Sequence, residues 1–80
     1  MKLDLYKKDS CPFCQRVLQY LGESGRTDII FHDTVMDNKA AEELTEAGGK
    51  LQVPCLLIDG KPMYESLDII EWLQAHPQEG

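Results

Sequence analysis

Residues 2 to 6 read Lys, Leu, Asp, Leu, Tyr, an alternation of period two that predicts a strand, and the polar residues Lys7 to Ser10 end it. From Pro12 the period changes. Phe13, Val17, Leu18 and Leu21 recur at helical spacing, and Pro12 suits a first helical turn, where its missing N–H has no intrahelical partner in any case. This helix closes near Gly22 to Gly25. Asp28 to Asp33 carries Ile29, Ile30 and Phe31, a run long enough for a strand and too short for a helix. Asp37 or Asn38 caps a second helix over Lys39 to Ala47, with Ala40, Ala41, Leu44 and Ala47 on one side and Glu42, Glu43 and Glu46 on the other; Gly48-Gly49 stops it.

Cys55 to Ile58 and Lys61 to Tyr64 flank Asp59-Gly60, a pair tolerant of positive φ and therefore suited to a two-residue hairpin. Ser66 offers a hydroxyl cap to a last helix with Leu67, Ile70 and Leu73 on one stripe, Ile69 and Trp72 beside it, and an end around His76-Pro77. Trp72 is expected in the core, His32 and His76 at the surface. The order is β-α-β-α-β-β-α. A right-handed crossover makes the first two strands parallel and the hairpin adds an antiparallel pair, so the expected architecture is α/β, a four-stranded mixed sheet with three helices.

Eighty residues at 42% hydrophobic and 28% charged are expected to form one domain, 1–80, because two would leave about 40 residues each, too few for independent cores. No apolar run approaches the roughly 20 residues of a membrane span, and the opening Met1-Lys2-Leu3-Asp4-Leu5 has no secretory h-region behind it. A cytoplasmic, reducing setting and no membrane partner are the expectation. The net charge of −6 argues against nucleic acid. Five basic and three acidic residues fall in 1–26, against three and eleven in 27–80, so a small anion is better received near the N-terminal third.

Three cysteines cannot all pair within one chain, and Cys11 and Cys14 stand in Cys-x-x-Cys spacing, which in a reducing compartment means redox chemistry or a metal. Zinc wants four ligands, and only Cys55, His32 and His76 remain, none in a second close-spaced ligand pair; no metal is expected. Cys11 lies where a strand hands over to a helix. There, unsatisfied N–H groups favour thiolate over thiol, and Lys8 adds positive charge. Cys14 is one turn deeper on the same face, placed to resolve a mixed disulfide. The ring they close is so small that the chain-entropy gain is only about 2 kcal/mol, and the bond opens and closes readily. Cys55, in an apolar strand, is expected to be a buried, inert thiol.

Val53-Pro54, just before the third strand, is expected as a cis peptide that turns the Val53 backbone N–H and C=O toward an extended ligand beside Cys11. At the start of the last helix, Glu65 can take an ammonium while the N–H groups beside Ser66 take a carboxylate; Asp68 is a second candidate acid. Phe13, at the exposed start of the first helix, is a candidate substrate contact.

Together, Cys11-Pro12-Phe13-Cys14 with Lys8 before it, Val53-Pro54 and the element order resemble the glutaredoxins, members of the thioredoxin fold, over essentially the whole chain. The resemblance implies that Cys11 attacks glutathione-containing disulfides, that Cys14 forms the internal disulfide and that Val53-Pro54 pairs with the cysteinyl part of glutathione. It also places Lys8 and Gln52 near the glycyl carboxylate. Two positions depart from the usual pattern. Phe13 replaces a frequent Tyr, and Tyr64-Glu65-Ser66-Leu67-Asp68 replaces a Gly-Gly and an Asp pair. That stretch is similar to the Glu-Ser motif of glutathione transferase N-terminal domains, which implies that Glu65 and Ser66 hold the γ-glutamyl end. The helical second domain of a transferase is not among the 80 residues, so disulfide exchange is expected and group transfer is not.

Three function classes compete. A glutathione-dependent thiol–disulfide oxidoreductase, acting as a monomer on disulfide or glutathionylated proteins, predicts glutathione catalysis and a low-pKa cysteine. A redoxin reduced by a flavoprotein predicts no glutathione binding. An iron–sulfur module held between two chains through Cys11 and glutathione predicts visible absorbance. Pro12 and the resolving Cys14 favour the first over the last.

Overall fold

β1 (Leu3–Lys7) runs through the interior of the sheet, and its alternation works on both faces. A computed structural model describes residues 1–78. Its order continues with α1 (Pro12–Ser24), β2 (Ile29–Asp33), α2 (Asn38–Gly48), β3 (Cys55–Ile58), β4 (Lys61–Met63) and α3 (Ser66–Ala75). The sheet order is β2-β1-β3-β4: β1 pairs parallel with β2 from Leu3 opposite Ile29 to Lys7 opposite Asp33, and antiparallel with β3 from Leu3 opposite Ile58 to Tyr6 opposite Cys55. β3 and β4 form the hairpin, with Asp59 at φ 50° and Gly60 at φ 87°, the two positive values that a tight primed turn requires.

Leu3, Leu5, Ile29 and Leu56 point to one face and meet Val17 and Leu21 of α1 and Ile69 and Leu73 of α3. Each fully buried side chain of this kind contributes about 1.5–3 kcal/mol, so the seam holds α1 and the start of α3 in fixed relation to the end of β1. Tyr6, Cys55 and Leu57 point to the other face and pack on Ala40 and Leu44 of α2. Asp4, only 7% exposed, is matched there by His32 Nε2 at 2.9 Å, whose ring stacks on Tyr6 at 4.5 Å between centroids. The Tyr6 hydroxyl donates to Glu43 at 3.1 Å.

Several local expectations change. His32 is half-buried in this polar network and not a surface residue, because Asp4 needs a partner. Asp37, not Asn38, caps α2, accepting from the Lys39 N–H at 3.0 Å. Ala47 is exposed; only Ala40 and Leu44 of the α2 stripe are buried. Ser66 is the first residue of α3 and not its cap, a place taken by Glu65 without a side-chain capping bond. The buried stripe of α3 is therefore Ser66, Ile69 and Leu73, and Leu67 stands 63% exposed. Trp72 is half-buried at the edge of the core, stacked on the exposed His76 at 4.1 Å. β4 stops at Met63, one residue before Tyr64.

Candidate active site

Packing fixes the cysteines. Val17 and Leu21 anchor α1 under the sheet, and the helix begins at the end of β1 with Cys11 as its N-cap, in extended conformation at φ −87° and ψ 120°, and Pro12 at its first position. The Cys11 carbonyl accepts the Gln15 N–H at 3.0 Å. Cys11 is 8% exposed, whereas Cys14, one turn deeper, has no exposed surface, so only the first is open to attack from outside.

The two thiols differ in acidity. Burial is the largest influence on Cys11 and raises its pKa, but the Cys14 N–H, the Cys14 thiol, the Phe13 N–H and the Lys8 charge together outweigh it, leaving Cys11 below its ordinary value. Cys14 is pushed up to about 11, first by burial and then by its hydrogen bond to Cys11 and the charge developing there; the Lys8 backbone and charge offset this in part. A nucleophile and a proton-holding neighbour result. Cys55 is fully buried, as expected, and burial pushes its thiol up.

The Val53–Pro54 peptide is cis, and the Cys11 thiol donates weakly to the Val53 carbonyl at 3.9 Å. From this point a groove of about 380 Å³ runs between Gln52, Val53 and Pro54, the α1 residues Phe13 and Arg16, and the stretch Tyr64 to Asp68. It brings together Phe13, Gln52, Val53, Pro54, Glu65, Ser66 and Asp68 from the sequence-derived set. Lys8 lies outside its lining and acts on the site through its charge on Cys11. Phe13 is 58% exposed at the mouth. Glu65 makes no capping bond, so its carboxylate is not committed to the helix end, and Asp68 lies within the first turn.

Arg16, Tyr64 and Leu67 line the same groove, although the sequence gives none of them a role in the site by itself. The signal for Arg16 is its spacing, three residues after Phe13 and so on the same side of α1; Tyr64 carries no such signal, because its position depends on Gly48. A Cβ at Gly48 would collide with the Tyr64 hydroxyl, which donates to the Lys50 carbonyl at 3.3 Å while Lys50 Nζ sits 4.4 Å from the ring centre. Among the described residues, no three His, Cys, Asp or Glu side chains gather where they could hold a metal ion.

A sheet of order β2-β1-β3-β4, with a cysteine pair at the mouth of α1 facing a cis-proline, defines the class as the thioredoxin fold. Glutaredoxin C1 from Populus tremula x tremuloides has the same fold, with a TM-score of 0.67 at 22% identity over 92% of this chain and 75% of that one. Glutathione transferase Omega 3C from Trametes versicolor superposes with a TM-score of 0.76 at 29% identity, over 94% of this chain but 33% of its own. In sequence, glutaredoxin 3 of Escherichia coli (strain K12) is 31% identical over 61 residues, 74% of this chain and 70% of that protein. The family model of the glutathione S-transferase N-terminal domain matches residues 5–79. The chain belongs to the glutaredoxin and glutathione S-transferase N-terminal-domain families, and through the former to the thiol–disulfide oxidoreductases at family level.

Proposed function

We propose that the protein is a glutathione-dependent dithiol oxidoreductase that reduces protein disulfides and removes glutathione from mixed disulfides. The observation that carries this is the contrast between Cys11, partly accessible with a lowered pKa beside Val53, and Cys14, buried with its proton held. The Cys11 thiolate attacks the glutathionyl sulfur of a substrate; a sulfur–sulfur bond forms between Cys11 and glutathione, the sulfur–sulfur bond of the mixed disulfide breaks, and the substrate leaves as a thiolate that takes a proton. The resulting Cys11–glutathione disulfide has two exits. A second glutathione thiolate attacks the glutathionyl sulfur, giving oxidised glutathione and free Cys11, or Cys14 loses its proton and attacks the Cys11 sulfur, expelling glutathione and leaving the internal disulfide. Two further glutathione molecules reduce that bond in turn.

Val53 offers its backbone to the cysteinyl part of glutathione, Lys8 and Gln52 lie toward the glycyl carboxylate, and Glu65, Ser66 and Asp68 toward the γ-glutamyl end. Phe13 borders the entering substrate. Glutathione and disulfide-bearing or glutathionylated proteins are the partners, the monomer is the working form, and the cytoplasm is the setting, since a reducing compartment keeps such thiols available. The test is turnover of a glutathionylated peptide with glutathione. Cys11→Ser is expected to abolish it and Cys14→Ser to retain it with ping-pong kinetics. Equal loss in both variants refutes the mechanism, and an active protein that ignores glutathione but accepts electrons from a flavoprotein refutes the glutathione dependence.

A further inference from the structure

The two edges of the sheet are protected unequally. β4 offers three residues, and among them Lys61 and Pro62 are the usual guards against pairing with another chain, a charge and a residue without an N–H. β2 offers five, and at its centre stand Ile30 and Phe31, 48% and 50% exposed, with no guard of either kind. The exposed Val35 and Met36 extend this apolar edge into the turn that follows.

The hydrogen bonds show which backbone groups of β2 are open. The Thr34 N–H donates to the Lys7 carbonyl at 2.9 Å, and successive residues of a strand direct their N–H and C=O groups to opposite sides, so Ile30 and His32 also face β1. Ile29, Phe31 and Asp33 face outward. Among the described residues these outward groups have one backbone partner, the Asp37 N–H on the Asp33 carbonyl, which keeps a second lone pair. The open positions are symmetric about Phe31. When a second β2 lies antiparallel across a twofold axis at Phe31, the two Phe31 residues exchange both backbone bonds, and Ile29 of each copy does the same with Asp33 of the other.

We infer that β2 pairs in this register with the β2 strand of a second copy of this chain, joining the two sheets into one. The side chains suit the register. Phe31 meets its own counterpart on the face that carries Leu3 and Leu5, and Ile30 lies across from the second copy's His32 on the face toward α2. Asp28 and Asp33, at the two ends of the strand, are already engaged by Arg26 at 2.8 Å and Lys7 at 3.3 Å, so no bare carboxylate is brought to the seam. What opposes pairing is the net charge of −6 on each chain, a long-range repulsion that salt screens. The groove beside Val53 and Pro54 lies on the β3 side of β1, so each chain keeps its own site and still exchanges disulfides singly.

The test is sedimentation equilibrium of the full chain over a dilution series, with urea unfolding to establish that each variant folds. The parent is expected to form a weak dimer, as befits a small interface, and to associate more tightly as salt rises. Phe31→Lys puts like charges opposite each other at the axis and is expected to weaken the dimer about 10-fold or more; Ile30→Lys is expected to weaken it as well, and Lys61→Gln, on the other edge, to leave it unchanged. In a mixture of isotope-labelled and unlabelled parent chains, filtered NOEs are expected between the Phe31 rings of the two copies. A chain that stays monomeric throughout the series, its edge open only to strands of other proteins, overturns the proposal. So does a dimer that salt weakens, that both lysine variants leave intact, or whose NOEs between copies fall on another face.

Discussion

Replacing Cys14 by alanine isolates one of the influences on Cys11. The backbone N–H groups of Phe13 and Cys14 remain, Lys8 remains, and only the Cys14 thiol, which hydrogen-bonds to the Cys11 sulfur, is lost. A thiol is a weak donor, so the low end of the range for bonds to charged groups applies, about 1.4 kcal/mol, or about ten-fold in the ionisation equilibrium. The pKa of Cys11 therefore rises in the variant. Well below that pKa the thiolate fraction falls about ten-fold, but a more basic thiolate is intrinsically more nucleophilic, by about three-fold for this change. The net alkylation rate with iodoacetamide drops about three-fold at acidic pH and exceeds the parent's about three-fold at alkaline pH. The two pH–rate curves cross. Cys14 does not confuse the parent's measurement, because it is fully buried and its pKa is pushed up to about 11. Curves that stay parallel, with the variant slower at every pH, would refute the idea that the Cys14 thiol stabilises the Cys11 thiolate.

Glutathione binding to Glu65→Gln and Asp68→Asn, each compared with an analogue lacking the γ-glutamyl amine, assigns the acid: loss of discrimination of about 10-fold or more is expected in Glu65→Gln, and its confinement to Asp68→Asn would transfer the role. At the far end of the sheet, Arg26, with its side chain 6% exposed, grips Asp28 at 2.8 Å and donates to the Leu73 and His76 carbonyls at 2.9 and 2.7 Å. Arg26→Met is expected to lower the stability to urea by about 2–3 kcal/mol. Because the Arg26 hydrogen bond is the main cause of Asp28's lowered pKa, its contribution is present above the ordinary carboxylate range and is lost as pH falls through the folded pKa. The gap between the parent and Arg26→Met should accordingly narrow in acid, without closing, because the bonds to the Leu73 and His76 carbonyls do not titrate; an unchanged gap there, or an unchanged urea midpoint, argues against the pair.

The elements were legible because local periodicity and end signals agreed. Leu3 and Leu5, Val17 and Leu21, and the Asp59-Gly60 turn each carry a local pattern that the packing then uses. What failed was the choice between neighbouring faces. In α3 the apolar residues Leu67, Ile69, Ile70, Trp72 and Leu73 surround most of the helix, so periodicity alone could not say that Ile69 faces the core and Leu67 the groove. Likewise, Asp4 in β1 reads as a solvent-facing position of an alternating strand, and only the α2 layer across the sheet reveals its need for His32. The cysteine pair and the proline were visible as motifs; the Arg16 and Tyr64 walls required the approach of α1 to α3 and of Tyr64 to Gly48.

The rotation of α3 explains how the acidic end of the groove arises. Burial of Ser66, Ile69 and Leu73 sets the rotation of the helix against the core, and a residue's outward direction follows from its 100° steps around the axis. With Ser66 held inward, Leu67 and Asp68 fall on the exposed side, and Glu65, the N-cap, is left at the helix mouth with no side-chain capping bond. A hydroxyl cap at Ser66 would have started the helix one residue later and turned the small side chain toward the N–H groups of the first turn, away from the core. Core packing on one side of α3 thus supplies, on the other, the carboxylates and the exposed Leu67 that border the groove beside Val53 and Pro54.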